Sequence, residues 1–102
     1  MMKIMTAVEY MQKELKHAYA FLDYAIEAKH IAPELTEVYI KIAENEAANA
    51  EAIHTIVIRM VDKASLESNP PQGMKDVWAW KHKEYIEEYS QFKAKLDALK
   101  RL

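Results

Sequence analysis

Gly73 is the only glycine among 102 residues, and the three prolines stand at Pro33, Pro70 and Pro71. Chain breakers therefore cluster near residues 30–33 and 65–73, and the stretches between them run without interruption. A β architecture with frequent tight turns has too few turn residues to be built this way. The same scarcity excludes Gly-rich phosphate loops and dinucleotide fingerprints, which need glycine so that backbone can approach a phosphate.

The uninterrupted stretches carry helical periodicity. Val8, Met11, Leu15, Ala18, Leu22 and Ala25 repeat at intervals of three and four, and Thr6-Ala7-Val8-Glu9 has the form of a capping box, which predicts a first helix over about 7–29. Beside that face lies a polar-aromatic strip of Tyr10, Glu14, His17, Phe21 and Tyr24. After His30-Ile31-Ala32, Pro33 suits the first turn of a second helix, which the pattern carries to about residue 64. On it Leu35, Tyr39, Ile42, Ala50, Ile53, Val57 and Met60 fall within about 40° of one line at 100° per residue, and that line is predicted to face the core. Ser65 to Gly73 has loop composition. A third helix over about 71–101 is predicted to present Met74, Trp78, Tyr85, Tyr89, Phe92, Leu96 and Leu99.

One short and one longer connection make this an all-α antiparallel bundle of three long helices in a single domain spanning 1–102. The helices would be about 35, 47 and 45 Å long at 1.5 Å per residue, and rods of that length enclose only a narrow core. Ile40, Ile58 and Ile86 lie off their stripes. Completion of the bundle by a homo-oligomer, a dimer or higher, is therefore expected, and Trp80, pointing away from the core line, is a candidate contact for another subunit or a protein partner.

Composition narrows the function. The formal charge of −2 argues against nucleic acid, and Lys93, Lys95, Lys100 and Arg101 suit the last turns of a helix by its dipole. No run of about 18 apolar residues exists, and Thr6 and Glu9 break the opening before it becomes a leader, so neither export nor membrane insertion is expected. Without cysteine there is no thiolate nucleophile and no Cys-based zinc site, which is compatible with a cytoplasmic protein. No serine stands in a triad-like setting, so hydrolase chemistry is not expected.

The residue that invites chemistry is Glu46, which shares the apolar line of the second helix. A carboxylate there needs a partner, a metal or a proton. Antiparallel pairing about residues 30–33 puts Glu46 level with Glu14 and His17, and pairing about the 65–72 loop brings Glu88 and Tyr89 to the same height. Glu14-x-x-His17 sets a carboxylate and an imidazole on one helical face, the spacing used in di-iron and di-manganese bundles, and such mixed ligation suits iron, manganese or zinc. In the alternative, Glu46 is a structural acid held by Tyr85 or Tyr89, or paired with His17 or Lys81.

The run from Tyr39 to Ala50, with Glu14-Leu15-x-His17-Ala18 before it, resembles the helix pair of ferritin-like proteins. More narrowly, it is similar to small ferritin-like proteins of unknown function found in bacteria and their phages. The resemblance covers about the first 64 residues, and the third helix loosely through Trp80-Lys81-His82-x-x-Tyr85. It implies that Glu14 and Glu46 correspond to carboxylate ligands and that the family's metal-binding histidine falls at Asn49. An amide there lacks the imidazole lone pair that a transition metal prefers, which counts against a full di-iron centre and against oxidase activity.

A second motif, Glu51-x-x-His54, points to the flank of the bundle, with His82 at the level of His54. It reads as a partly buried histidine beside a solvated acid. The leading expectation is a ferritin-like structural or interaction module, phage-associated as the resemblance implies, with no enzymatic activity and no cofactor. The rival is an iron- or manganese-binding redox or iron-handling protein that uses Glu14, His17, Glu46, Asn49 and Glu88, with a ligand from a symmetry mate.

Overall fold

The computed structural model describes residues 2–101, which form three helices: α1 (Met2–Ala28), α2 (Pro33–Ser68) and α3 (Gln72–Lys100). There is no strand among the described residues. The bundle is elongated, 54 × 18 × 16 Å along its principal axes. Among the described residues no helix is long and apolar enough to cross a membrane.

α1 begins at Met2 rather than near residue 7, so Thr6-Glu9 lies inside the helix and is not its start. The reason is burial. Ile4 sits one turn before Val8 on the same face and is itself in the core, so the apolar stripe extends the helix past the capping signal. The rest of that stripe, Met11, Leu15, Ala18, Leu22 and Ala25, is buried as its spacing predicts.

The α1–α2 turn is closed by backbone bonds from the amides of Ile31 and Ala32 to the carbonyl of Ala28, at 3.0 and 2.8 Å. Ala32 is extended, as a residue before proline must be, and Pro33 opens α2. The Thr36 hydroxyl donates to the carbonyl of Ala25 at 2.9 Å and pins the entry of α2 to the last turns of α1. α2 runs to Ser68, four residues beyond the predicted end, and stops where Asn69 turns left-handed (φ 40°) ahead of Pro70.

The face that α2 buries is only partly the predicted one. Its buried residues are Ala43, Ala47, Ala50, His54 and Val57; Ala50 and Val57 lie on the predicted line, and the seam as a whole is rotated by roughly 50° from it. Small residues decide this. Three alanines on α2 and Ala18 and Ala25 on α1 are buried between the two helices, letting them approach closely, and α1·α2 is the most extensive contact among the described residues. Apart from Val57, the larger apolar residues of the predicted line are left half-buried or, at Leu35, exposed.

α3 buries Tyr85, Phe92, Leu96 and Leu99, all on its predicted face, with Trp78 and Tyr89 partly buried against the core. It runs alongside α1 and meets α2 mainly through long side chains. Lys95 forms an ion pair with Asp23 on α1, and Lys100 reaches Glu44 on α2 at 2.8 Å. Of the three isoleucines expected on the surface, Ile86 is exposed, whereas Ile40 packs on the core and Ile58 is half-buried.

Candidate functional site

Two clusters of polar side chains occupy different sides of α2. The first is the layer predicted around Glu46. Glu46 is half-buried, and its Oε2 is enclosed without a hydrogen-bond partner. Its carboxyl is held above the ordinary carboxylate range, chiefly by burial and then by the Glu14 carboxylate, with His17 pulling the other way. Glu14, His17 and Glu46 are therefore neighbours, as the antiparallel register predicts. Glu14 is half-buried and His17 exposed, and Asn49, one turn further along α2, is exposed.

Glu88 and the tyrosines are placed elsewhere. Glu88 shares the height of Glu14 but faces the other flank of α1, beside Lys16 and Lys81 and near Glu84; burial first, then Glu84, raises its carboxyl. A cleft between α1 and α3 lined by Leu15, Lys16, Tyr19, Glu88 and Gln91 opens there. The Tyr85 hydroxyl does not serve Glu46, because it donates to Glu51 instead. Antiparallel register gives height along the bundle but not the side of α1 on which the third helix lies.

The second cluster joins α2 to α3. The Tyr85 hydroxyl, fully buried, donates to Glu51 Oε2 at 2.8 Å, and Glu51 Oε1 lies 3.3 Å from His54 Nδ1. Glu51 is thus half-buried and engaged by two side chains, not the solvated acid expected of it. Burial foremost, then the hydrogen bond to Glu51, pushes the Tyr85 hydroxyl far above its ordinary value, so it stays a donor. The His54 ring is 4.5 Å from the Tyr85 ring and 5.0 Å from that of His82, and His82 stacks on Trp78 at 7° between planes. His54 is 5% exposed and its Nε2 has no protein partner. His82 is held below the usual histidine range by burial and then by His54. The spelling Glu51-x-x-His54 and the level of His82 signalled this cluster in the sequence; the same register placed Tyr85 opposite Glu51, a pairing the sequence reading missed.

Chemically, the second cluster is a closed fastening between helices, while the first sits in a groove. The polar pairs between α3 and α1 run through Lys16, Tyr19 and Asp23, on the side away from Glu14 and His17. The face of α1 and α2 around Glu46 is left open. Phe21, Tyr24 and Tyr39 cluster at one end of it, with ring centroids 5.4–6.0 Å apart. Tyr10 (57% exposed), Tyr24 (48%), Val38 (51%) and Ile56 (54%) stand along it.

Among the described residues no group of three His, Asp or Glu side chains is arranged to hold a metal ion. Comparison with protein-family models, with curated proteins and with solved structures finds no match to this chain.

Proposed function

We propose that this protein is a structural module, not an enzyme, that works by assembling with copies of itself through the open face of α1 and α2, in the manner of the ferritin-like bundles its sequence resembles. The single observation that carries this reading is the make-up of that face: apolar side chains about half exposed above and below a glutamate with an enclosed, unpartnered oxygen. A lone chain gains nothing from this arrangement, whereas a helical surface laid over it would cover the apolar groups and bring polar atoms to Glu46. Four helices around one core is the usual completion of such a pair. The phage association implied by the resemblance fits a module whose work is assembly.

The test is the mass in solution. The wild type is expected to sediment above the 11.9 kDa of one chain, and Ile56→Glu, which puts a charge on the open face without touching the seam, is expected to return it to that mass. A wild type that stays at 11.9 kDa at every concentration contradicts the reading.

A second reading is favoured by the same unpartnered oxygen: Glu14, His17 and Glu46 as part of an iron or manganese site. Carboxylates and an imidazole are suitable donors, but Glu88 lies on the other flank of α1, and among the described residues no group of three His, Asp or Glu side chains is arranged to hold a metal, so a partner would have to complete the site. Elemental mass spectrometry after anaerobic iron loading separates the two readings. Stoichiometric iron that Glu46→Ala abolishes supports the second, and metal-free protein in both forms sinks it.

A further inference from the structure

We propose that the open face pairs with the same face of a second copy about a two-fold axis running along the helices, so that α1 of each copy packs against α2 of its partner. This inference rests on the assembly reading above and specifies its geometry.

The first support is the order of residues along the face. At one end stand Tyr10 on α1 with Ile53 and Ile56 on α2; at the other, Phe21 and Tyr24 with Val38 and Tyr39. Between them lies the polar layer of Glu14, His17 and Glu46. An axis along the bundle keeps every level opposite itself, so apolar ends meet apolar ends and the polar layers coincide. α1 and the partner's α2 then run antiparallel, as α1 and α2 already do within the chain, and the result is a four-helix arrangement with an α3 outside each half.

Charge separates this axis from the other one available. An axis across the helices also matches apolar ends, but lays α2 on the partner's α2 and so sets Glu46 against a second Glu46. The α2 run from Ile42 to Ala50 contains no cation to come between them. Like charges opposed in an interface are costly. The lengthwise axis instead turns Glu46 toward the partner's α1, where Glu14 and the exposed His17 stand at the same height, so an imidazole as well as a carboxylate faces each Glu46.

The area is close to what a pair needs. The face is bounded by the 27 residues of α1, about 40 Å at 1.5 Å per residue, and the molecule is 18 Å across, which gives on the order of 700 Å² against the ~800 Å² per partner of a standard interface. The contribution of large side chains also favours a second copy: the seam of α2 is spent on alanines, while Ile42, Ile53 and Met60 stand half-buried at the edge of the open face, where a partner would finish covering them.

Cross-linking reads the axis directly, because the chain has no cysteine of its own. Lys13→Cys chains mixed with Asn49→Cys chains test the lengthwise axis, and Val38→Cys mixed with Ile56→Cys tests the crosswise one; all four positions are exposed, and far-ultraviolet circular dichroism checks that each variant is folded. The expected result is a disulfide-linked pair in the first mixture only, approaching roughly one half of the chains, the statistical share of mixed dimers. A link in the second mixture alone overturns the proposed axis and leaves self-assembly standing. Links in both mixtures or in neither, with the wild type still above one-chain mass, overturn the unique pairing of this face. A wild type at one-chain mass overturns this inference together with the reading it rests on.

Discussion

The two sides of α2 follow opposite rules. Toward α1 it presents Ala43, Ala47, Ala50 and Val57, small side chains fully out of water; toward the open face it presents Leu35, Ile42, Ile53 and Met60, larger side chains only partly covered. Within one chain the more hydrophobic side is thus the less buried. Close helix approach is governed by the smallness of the residues between the axes, while the apolar bulk on the other side serves a contact that a single chain does not make.

The comparison can be broken most severely at the seam. Leu22→Ala removes a fully buried side chain from it and is expected to cost about 2–5 kcal/mol in urea denaturation, because the close-packed alanines around it cannot collapse into the space. A loss below about 1 kcal/mol would mean that the seam is loosely packed. Ala50→Leu attacks the same seam by overfilling it and should cost about 1–3 kcal/mol, driving the helices apart. Were Ala50→Leu neutral, small size would not be what holds α1 against α2.

Glu46→Gln sharpens the other side. The folded chain holds the Glu46 proton more tightly than the unfolded chain does, so the ionised carboxylate weighs against folding once the pH has risen past its raised value. Below the ordinary glutamate value of 4.5 both states are protonated and that cost is absent. The variant is therefore expected to be more stable than the wild type at pH 7 and to lose its advantage as the pH falls below 4.5, which denaturation at the two pH values checks. An advantage independent of pH would point to something other than ionisation. The smallest effect belongs to the surface: Lys95→Ala breaks the pair with Asp23 but leaves both core faces intact, and should cost only ~0.2–1 kcal/mol, less in high salt.

Much of this was legible in the sequence. The stripes of α1 and α3 were read correctly because large apolar residues and buried positions coincide there, as at Leu15, Leu22, Phe92 and Leu96. On α2 they coincide only at Val57, and the predicted line, which shares Ala50 and Val57 with the buried seam, missed Ala43, Ala47 and His54. The start of α1 was hidden because Ile4 extends the burial past a capping signal that is otherwise sound. In the site, Glu14, His17 and Glu46 were brought together by register alone. Glu88 was misassigned because register gives height along a bundle and not the side of a helix on which a neighbour packs. The Tyr85–Glu51 bond joins residues whose levels agree, but hydrogen bonding across α2 and α3 depends on side-chain directions that periodicity does not carry.

Hydroxyl-radical footprinting across a dilution series tests most directly whether the open face of α2 is an interface. Tyr24 and Ile56, about half exposed in one chain, are expected to be protected when the protein is concentrated and to become labelled on dilution, while Trp80, 60% exposed on α3, is labelled throughout. Labelling of all three at every concentration would contradict the account.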